Sequence, residues 1–357
     1  MKMKEGWISI AIVLLLSLFS VAVLRAEEKK EGTAVFDPEQ VIFEHLGDEY
    51  GWSIELPHGR RVSIPLPVIV RSQQGKWYLF SSSRLENGKV YKGFYLAKGG
   101  DYDGKVVQKG EGGQVYRPWD LSVTKNVLAL FITALLVAWA VFPMVRWYKR
   151  NPLKAPRRRL GLMEMLIDMM YTEVIVSVLG KEARRYGPYL LTLFFFILFS
   201  NLLGLMVVFP GGANVMGNIS ITLVLAVCTF VVVNVSGTKA YWKEMFWPDV
   251  PRWLKFPLPI MPLIEIFGMF TKPVALMIRL FANMLAGHLI TLVLISLIFI
   301  FGAMGTAALG TSTVIAVLFA LFMGLVDFLI CFIQAYVFMI LSTIFINLAR
   351  VGKENAN

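Results

Sequence analysis

Residues 273–301 read PVALMIRLFANMLAGHLITLVLISLIFIF, an apolar run interrupted by two ionisable side chains, Arg279 and His288. A charge at the centre of a bilayer costs ~2.5–3.5 kcal/mol on insertion scales, so such a cation faces a bundle interior, a partner or a water-filled path. Arg279 has apolar sequence on both sides, which places it too deep to reach water by snorkelling. Upstream the run extends to about residue 260, and a second one covers about 312–349. Each is ~40 residues, or ~60 Å as a helix, against a hydrocarbon core of ~30 Å. Pro273 offers one bend, but nothing polar divides either run, and only the uncharged GAMGTAALGT (302–311) separates them. The expectation is a hairpin of two steeply inclined helices, tilted well beyond the ordinary 20° or so.

The rest of the composition agrees with a membrane setting. Of 357 residues, 57% are hydrophobic and 17% charged, where globular domains carry roughly 25% charged residues. The net charge of +11 does not point to nucleic acid, because the basic residues cluster in loops beside the apolar runs. Cys228 and Cys331 sit in apolar segments and read as small core residues. His45, His58 and His288 share no metal-ligand spacing, and no cofactor, catalytic triad or dinucleotide loop is indicated.

Residues 1–26 carry Lys2 and Lys4 before an apolar run from Trp7 to Leu24, a signal peptide or signal anchor. Residues 27–125 are polar, with alternating runs such as RVSIPLPVIV and KWYLFSSS broken by QQGK, ENGK and GGDYDG. That pattern predicts a small β-rich extracytoplasmic domain or a pair of hairpins. Within it, GGDYDGK (99–105) approaches a phosphate-binding loop, but Val106 stands where Ser or Thr must reach magnesium and no helical run follows. It is read as a hairpin turn.

Residues 126–357 form the membrane domain. A first span ends near Val145, followed by RWYKRNPLKAPRRR (146–159) with seven basic residues and no acid, which marks the cytoplasmic side. LMEMLIDMMYTEVIVSVLG (162–180) is amphipathic and expected along the inner surface. Spans at about 188–209 and 217–238 lead to the final hairpin, which ends at Arg350 and Lys353. The fold class is therefore an all-α polytopic membrane protein with about five membrane helices and a small β-rich N-terminal domain. It is placed multi-pass in the cell inner membrane, with the N-terminal domain outside and the C-terminus cytoplasmic.

At 100° per residue, Glu265, Lys272 and Arg279 share one helix face, Asn283 lies one turn beyond Arg279, and His288 points to the other side. Asp327 and Gln334, seven apart, align on the second helix. Glu265 and Lys272 read as a helix-face ion pair. Asn283 and Gln334 are open to two readings, interhelical hydrogen-bonding glue or direct participation. His288 and Asp327 are either a neutralising pair or groups of a proton relay, since imidazole titrates near neutrality.

These residues closely resemble subunit a of the F-type ATP synthases. The resemblance is carried by KPVALMIRLFANMLAGHLI (272–290), DFLICFIQAYVFMILSTIFI (327–346) and SNLLGL (200–205), and covers about 126–350. The first is similar to the family's RLFGNMxAGxxI signature, with Ala282 in place of glycine; the second to its QAxxFxxL segment. The resemblance implies that Arg279 is the essential cation facing the rotor ring of c subunits, with Asn283 and Gln334 as polar positions beside it. It implies that His288 and Asp327 stand where members hold a Glu/His pair, here with the shorter acid. Asn201 matches a polar position near the outer half-channel, while Gly204 replaces an acid found in some members.

The resemblance further implies a non-nucleotide-binding stator subunit with two proton half-channels. Its partners would be the c-subunit ring, the b subunits of the peripheral stalk, the lipid bilayer and, indirectly, the F1 sector. Two rival readings differ in testable ways. A secondary transporter would show internal repeats and broken helices around a midplane site, and no repeat is found. In a structural anchor, neutral replacements of Arg279, His288 and Asp327 would be tolerated.

Overall fold

The computed structural model describes residues 48–350 apart from 57–59, 86–87, 98–101, 103, 110–114, 152–153, 157–158, 207–213, 247–259 and 303–305. The leader at 1–26 lies outside the described residues. The chain divides into two compact units, Met1–Lys125 and Asn126–Asn357.

Alternating apolar residues build the first unit. Strands β1 (Gly51–Leu56) and β2 (Arg60–Pro65) form one antiparallel pair. Strands β3 (Pro67–Arg71), β4 (Trp77–Ser81) and β8 (Trp119–Asp120) form a sheet in the order β4-β3-β8. A third sheet contains β5 (Phe94–Leu96), β6 (Val106–Lys109) and β7 (Val115–Tyr116). The QQGK segment closes the β3–β4 hairpin: Gly75 takes φ +82° and its N–H donates to the Ser72 carbonyl, a conformation open to glycine at no steric cost. The GGDYDGK segment likewise joins two antiparallel strands, β5 and β6, with Gly104 at φ +69° and Val106 opening a strand where a nucleotide loop needs a helix.

Val68, Val70 and Phe80 turn one face of the β4-β3-β8 sheet onto Tyr50, Leu85, Phe94 and Val106, which form the core. Phe94 packs edge-on against Tyr78 at 5.5 Å, a geometry aromatic rings prefer. The buried Tyr50 hydroxyl donates to Asp120 and accepts from the Val106 N–H at 3.4 Å. Burial, and after it the Asp120 carboxylate, push its pKa up from the usual phenol value.

The second unit is helical. Helix α1 (Lys125–Arg150) is followed by α2 (Arg159–Asp168), which continues as a π-helix over Met169–Val176. Gly180 (φ +54°) ends that run, and α3 (Ala183–Leu205) follows. Next come α4 (Ile219–Ser236), α5 (Lys239–Phe246), α6 (Ile260–Gly302, 43 residues) and α7 (Thr306–Arg350, 45 residues). Among the described residues, Lys125–Arg150, Leu160–Leu205, Ile219–Ser236 and Val314–Arg350 are helical, long and apolar enough to cross a membrane. The two final apolar runs are thus single helices packed together, and α6 remains helical through Pro273.

Helix α7 buries a stripe of Cys331, Ala335, Phe338, Ser342, Ile346 and Ala349, and its main neighbours are α3 and α6 alike. Small residues in that stripe allow close approach, which is what drives helix association where lipid supplies no hydrophobic contrast. Ser342 and the adjacent Thr343 return their hydroxyls to backbone carbonyls one turn back, at 2.7 and 2.8 Å. At the far end of α7, Arg350 pairs with Glu182 at 2.5 Å, and the Ala349 carbonyl accepts from the Thr238 N–H at 3.0 Å.

Candidate functional site

Helix α6 buries Leu276, Leu280 and Met284, spaced by four, and so turns a fixed face outward. Arg279 is on that outward face, exposed, together with Val274 and Ile278. Among the described residues it makes neither a hydrogen bond nor an ion pair. Asn283, one turn along, is exposed beside it. Among the described residues this guanidinium on an apolar helix has no acid beside it.

The expected pairing of Glu265 with Lys272 is not formed. Seven residues span two turns, ~10 Å of rise, and Lys272 instead holds its ammonium over the Phe345 ring of α7 at 5.7 Å. Glu265 lies close enough to Tyr241 of α5 to add to the burial that raises that phenol's pKa.

Helix α7 buries Asp327, 7% exposed, and Gln334, 8% exposed, with the buried Cys331 between them. The Asp327 carboxylate lies against Gly287 of α6: a methyl built on Gly287 would stand 3.2 Å from Oδ1 and 3.5 Å from Cγ. Glycine at this point gives the carboxylate its space. His288 follows directly on α6; its side chain lies outside the described residues. Arg279 and Asp327 thus occupy different settings, the cation on an open face and the acid in the seam between α6 and α7.

Asn201 of α3 is completely buried, and neither its Oδ1 nor its Nδ2 has a partner among the described residues. The hydroxyl of Ser200, beside it in sequence, is in the same state. Unmet polar atoms inside a fold cost ~1–3 kcal/mol each, so three together mark an interior with a polar task.

Three positions of this site are not apparent from sequence patterning. Gly287 could be suspected only as a glycine inside a helical run. Cys331 looks like any small core residue until it is found between Asp327 and Gln334. Asn214, after α3, caps its own turn by accepting from the Gly217 N–H at 2.8 Å and donates to the Met284 carbonyl of α6 at 3.2 Å.

Comparison with known proteins follows the same division of the chain. A family model described as "ATP synthase A chain" matches residues 127–347. A second, described as "Domain of unknown function (DUF8433)", matches residues 41–121. ATP synthase subunit a of Myxococcus xanthus (strain DK1622) is 41% identical over 238 residues, 64% of this chain and 73% of the relative. The subunit a of Chloroherpeton thalassium is 37% identical over 246 residues, 67% of this chain and 70% of the relative. "ATP synthase subunit a 2" of Chlorobaculum tepidum is 39% identical over 253 residues, 68% and 69% of the two chains. With an exposed arginine on α6, a buried acid on α7 and these relatives, the chain belongs to the ATP synthase A chain family, the proton-translocating subunit of the synthase's membrane sector.

Proposed function

We propose that the exposed face of α6 works against a rotating ring of c subunits, with Arg279 as the cation that each ring carboxylate meets in turn. The observation that carries this reading is the position of Arg279, outward, flanked by apolar residues and without an ion-pair partner among the described residues. A cation in that setting calls for an acid from another subunit. Where a ring carboxylate approaches Arg279 its ionised form is favoured, so a proton is released on one side. Elsewhere in lipid the carboxylate is stable only when protonated.

His288, Asp327 and the polar Asn201 region then supply the entry path on the outer side, while Asn283 and Gln334 line the passage near Arg279. The paths do not meet, because Arg279 electrostatically opposes a proton moving straight between them. Transfer of one charge through the full potential provides roughly 2.3 kcal/mol per 100 mV. The lengths of α6 and α7, 43 and 45 residues, fit helices inclined along the wall of a ring. In this reading the N-terminal domain lies outside the cell inner membrane, the C-terminus is cytoplasmic, and b subunits and the F1 sector complete the assembly.

Disulfide trapping in the assembled complex tests the interface. A cysteine at Asn283, on the open face, should cross-link to a cysteine placed beside the ring subunit's membrane carboxylate. One at Leu280, in the buried stripe, should not. Equal trapping at both, or at neither, would remove the ring from this face.

A further inference from the structure

The outer face of the β4-β3-β8 sheet has the wrong chemistry for water. Residues directly opposite in an antiparallel sheet share a face, so the register places Trp77, Arg71 and Trp119 in one row across the three strands. Leu79 and Ile69 make the next row, continued by Leu121, whose N–H donates to the Ile69 carbonyl. The opposite face of this sheet carries Val68, Val70 and Phe80 and packs on the domain core. A sheet covered on one side normally alternates to polar residues on the other. Here Leu79 and Trp119 are each 72% exposed, Leu121 63% and Trp77 53%, and Arg71 is the sole charged residue in the two rows.

We propose that this face is a lipid-docking surface that seats the N-terminal domain on the headgroup layer of the bilayer. Two observations choose lipid over a protein partner. The first is the mixture itself: indole rings prefer the membrane–water boundary, aliphatic side chains the region just below, and a guanidinium pairs with lipid phosphate. Arg71 already lies over the Trp77 ring at 5.9 Å, so the cation and its aromatic neighbour present together. The second is reach. Leu121 is four residues before Lys125, the first residue of α1, and an extended chain covers at most ~3.6 Å per residue. The β8 end of the rows is therefore tied close to the start of an apolar helix able to cross the membrane, Leu121 within ~15 Å and Trp119 within ~22 Å. This inference rests on the membrane setting of the second unit and not on which side of the membrane the domain occupies.

The test uses the full chain in its assembled complex, reconstituted in liposomes. Cys228, the exposed native thiol, is replaced by serine; Cys331 is buried. Single cysteines at Leu79, Leu121 and, outside this sheet, the exposed Val90 are labelled with a small fluorophore. Quenching is then compared between lipids bearing a nitroxide near the headgroup and iodide in solution. Lipid quenching several-fold stronger at Leu79 and Leu121 than at Val90, with shielding from iodide, is the expected result. Free access of iodide at all three positions would overturn the proposal. So would shielding of Leu79 and Leu121 from both quenchers, which would mean that protein covers the face. As a second arm, Trp77→Ser with Trp119→Ser should weaken lipid quenching of the Leu79 label, and an unchanged signal would count against docking.

Discussion

At the scale of single residues, the site depends on who sits beside whom across the α6–α7 seam. A side chain at Gly287 must displace the Asp327 carboxylate, since even a methyl would come within 3.2 Å of Oδ1. Gly287→Val is expected to reduce proton pumping severalfold in a complex that still assembles, with Gly287→Ala milder; immunoblots of the membrane fraction separate the two effects. If His288 and Asp327 act as a pair, exchanging them (His288→Asp with Asp327→His) should retain more pumping than either single change, and equal loss in all three variants would end the pairing idea. Tyr50 gives a pH prediction for the N-terminal unit. Its phenol pKa is raised by burial and by Asp120, so the stability it lends is complete below the ordinary phenol value of about 10 and is lost as pH rises through the higher folded value. Tyr50→Phe should flatten that alkaline loss in a thermal melt of the complex followed against pH. Arg279 was legible in the sequence because a charge in an apolar run is costly wherever the helix turns it. Gly287 was not, because its importance arises only when α7 brings a carboxylate to it. The Glu265–Lys272 ion pair failed for a related reason: a shared helix face does not close two turns of rise when a partner ring, Phe345, is nearer.

Among elements, the long final helices could be read directly from uninterrupted apolar sequence, and they are single helices of 43 and 45 residues. Which side of each is buried was less accessible, because nearly every residue is apolar and amphipathic contrast is lost in lipid. The packing instead uses size: Ala335, Ser342 and Ala349 occupy the α7 seam. Ala335→Leu overfills that seam and should cost ~1–3 kcal/mol, seen as lower accumulation of the subunit in membranes. Leu325→Ala, on the exposed side of the same helix, should leave accumulation unchanged. In the β-rich unit the alternation predicted strands, and GGDYDGK, read as a hairpin turn, lies between the antiparallel strands β5 and β6. The alternation did not predict that β8, a two-residue strand far along the chain, would complete the β4-β3-β8 sheet, since that pairing is long-range.

For the molecule as a whole, the shift from polar to apolar sequence marks the boundary between its two units at Lys125, and the same shift divides the regions matched by the two family models. The second unit combines an open cationic face on α6 with buried polar side chains on α3 and α7, Asn201 and Asp327. That asymmetry, one side for a moving partner and one for a proton supply, is the central claim. The most direct measurement is ATP-driven proton pumping by inverted membrane vesicles carrying Arg279→Ala, beside wild type, with complex assembly verified. The account predicts an assembled complex that does not pump; full pumping by that variant would contradict it.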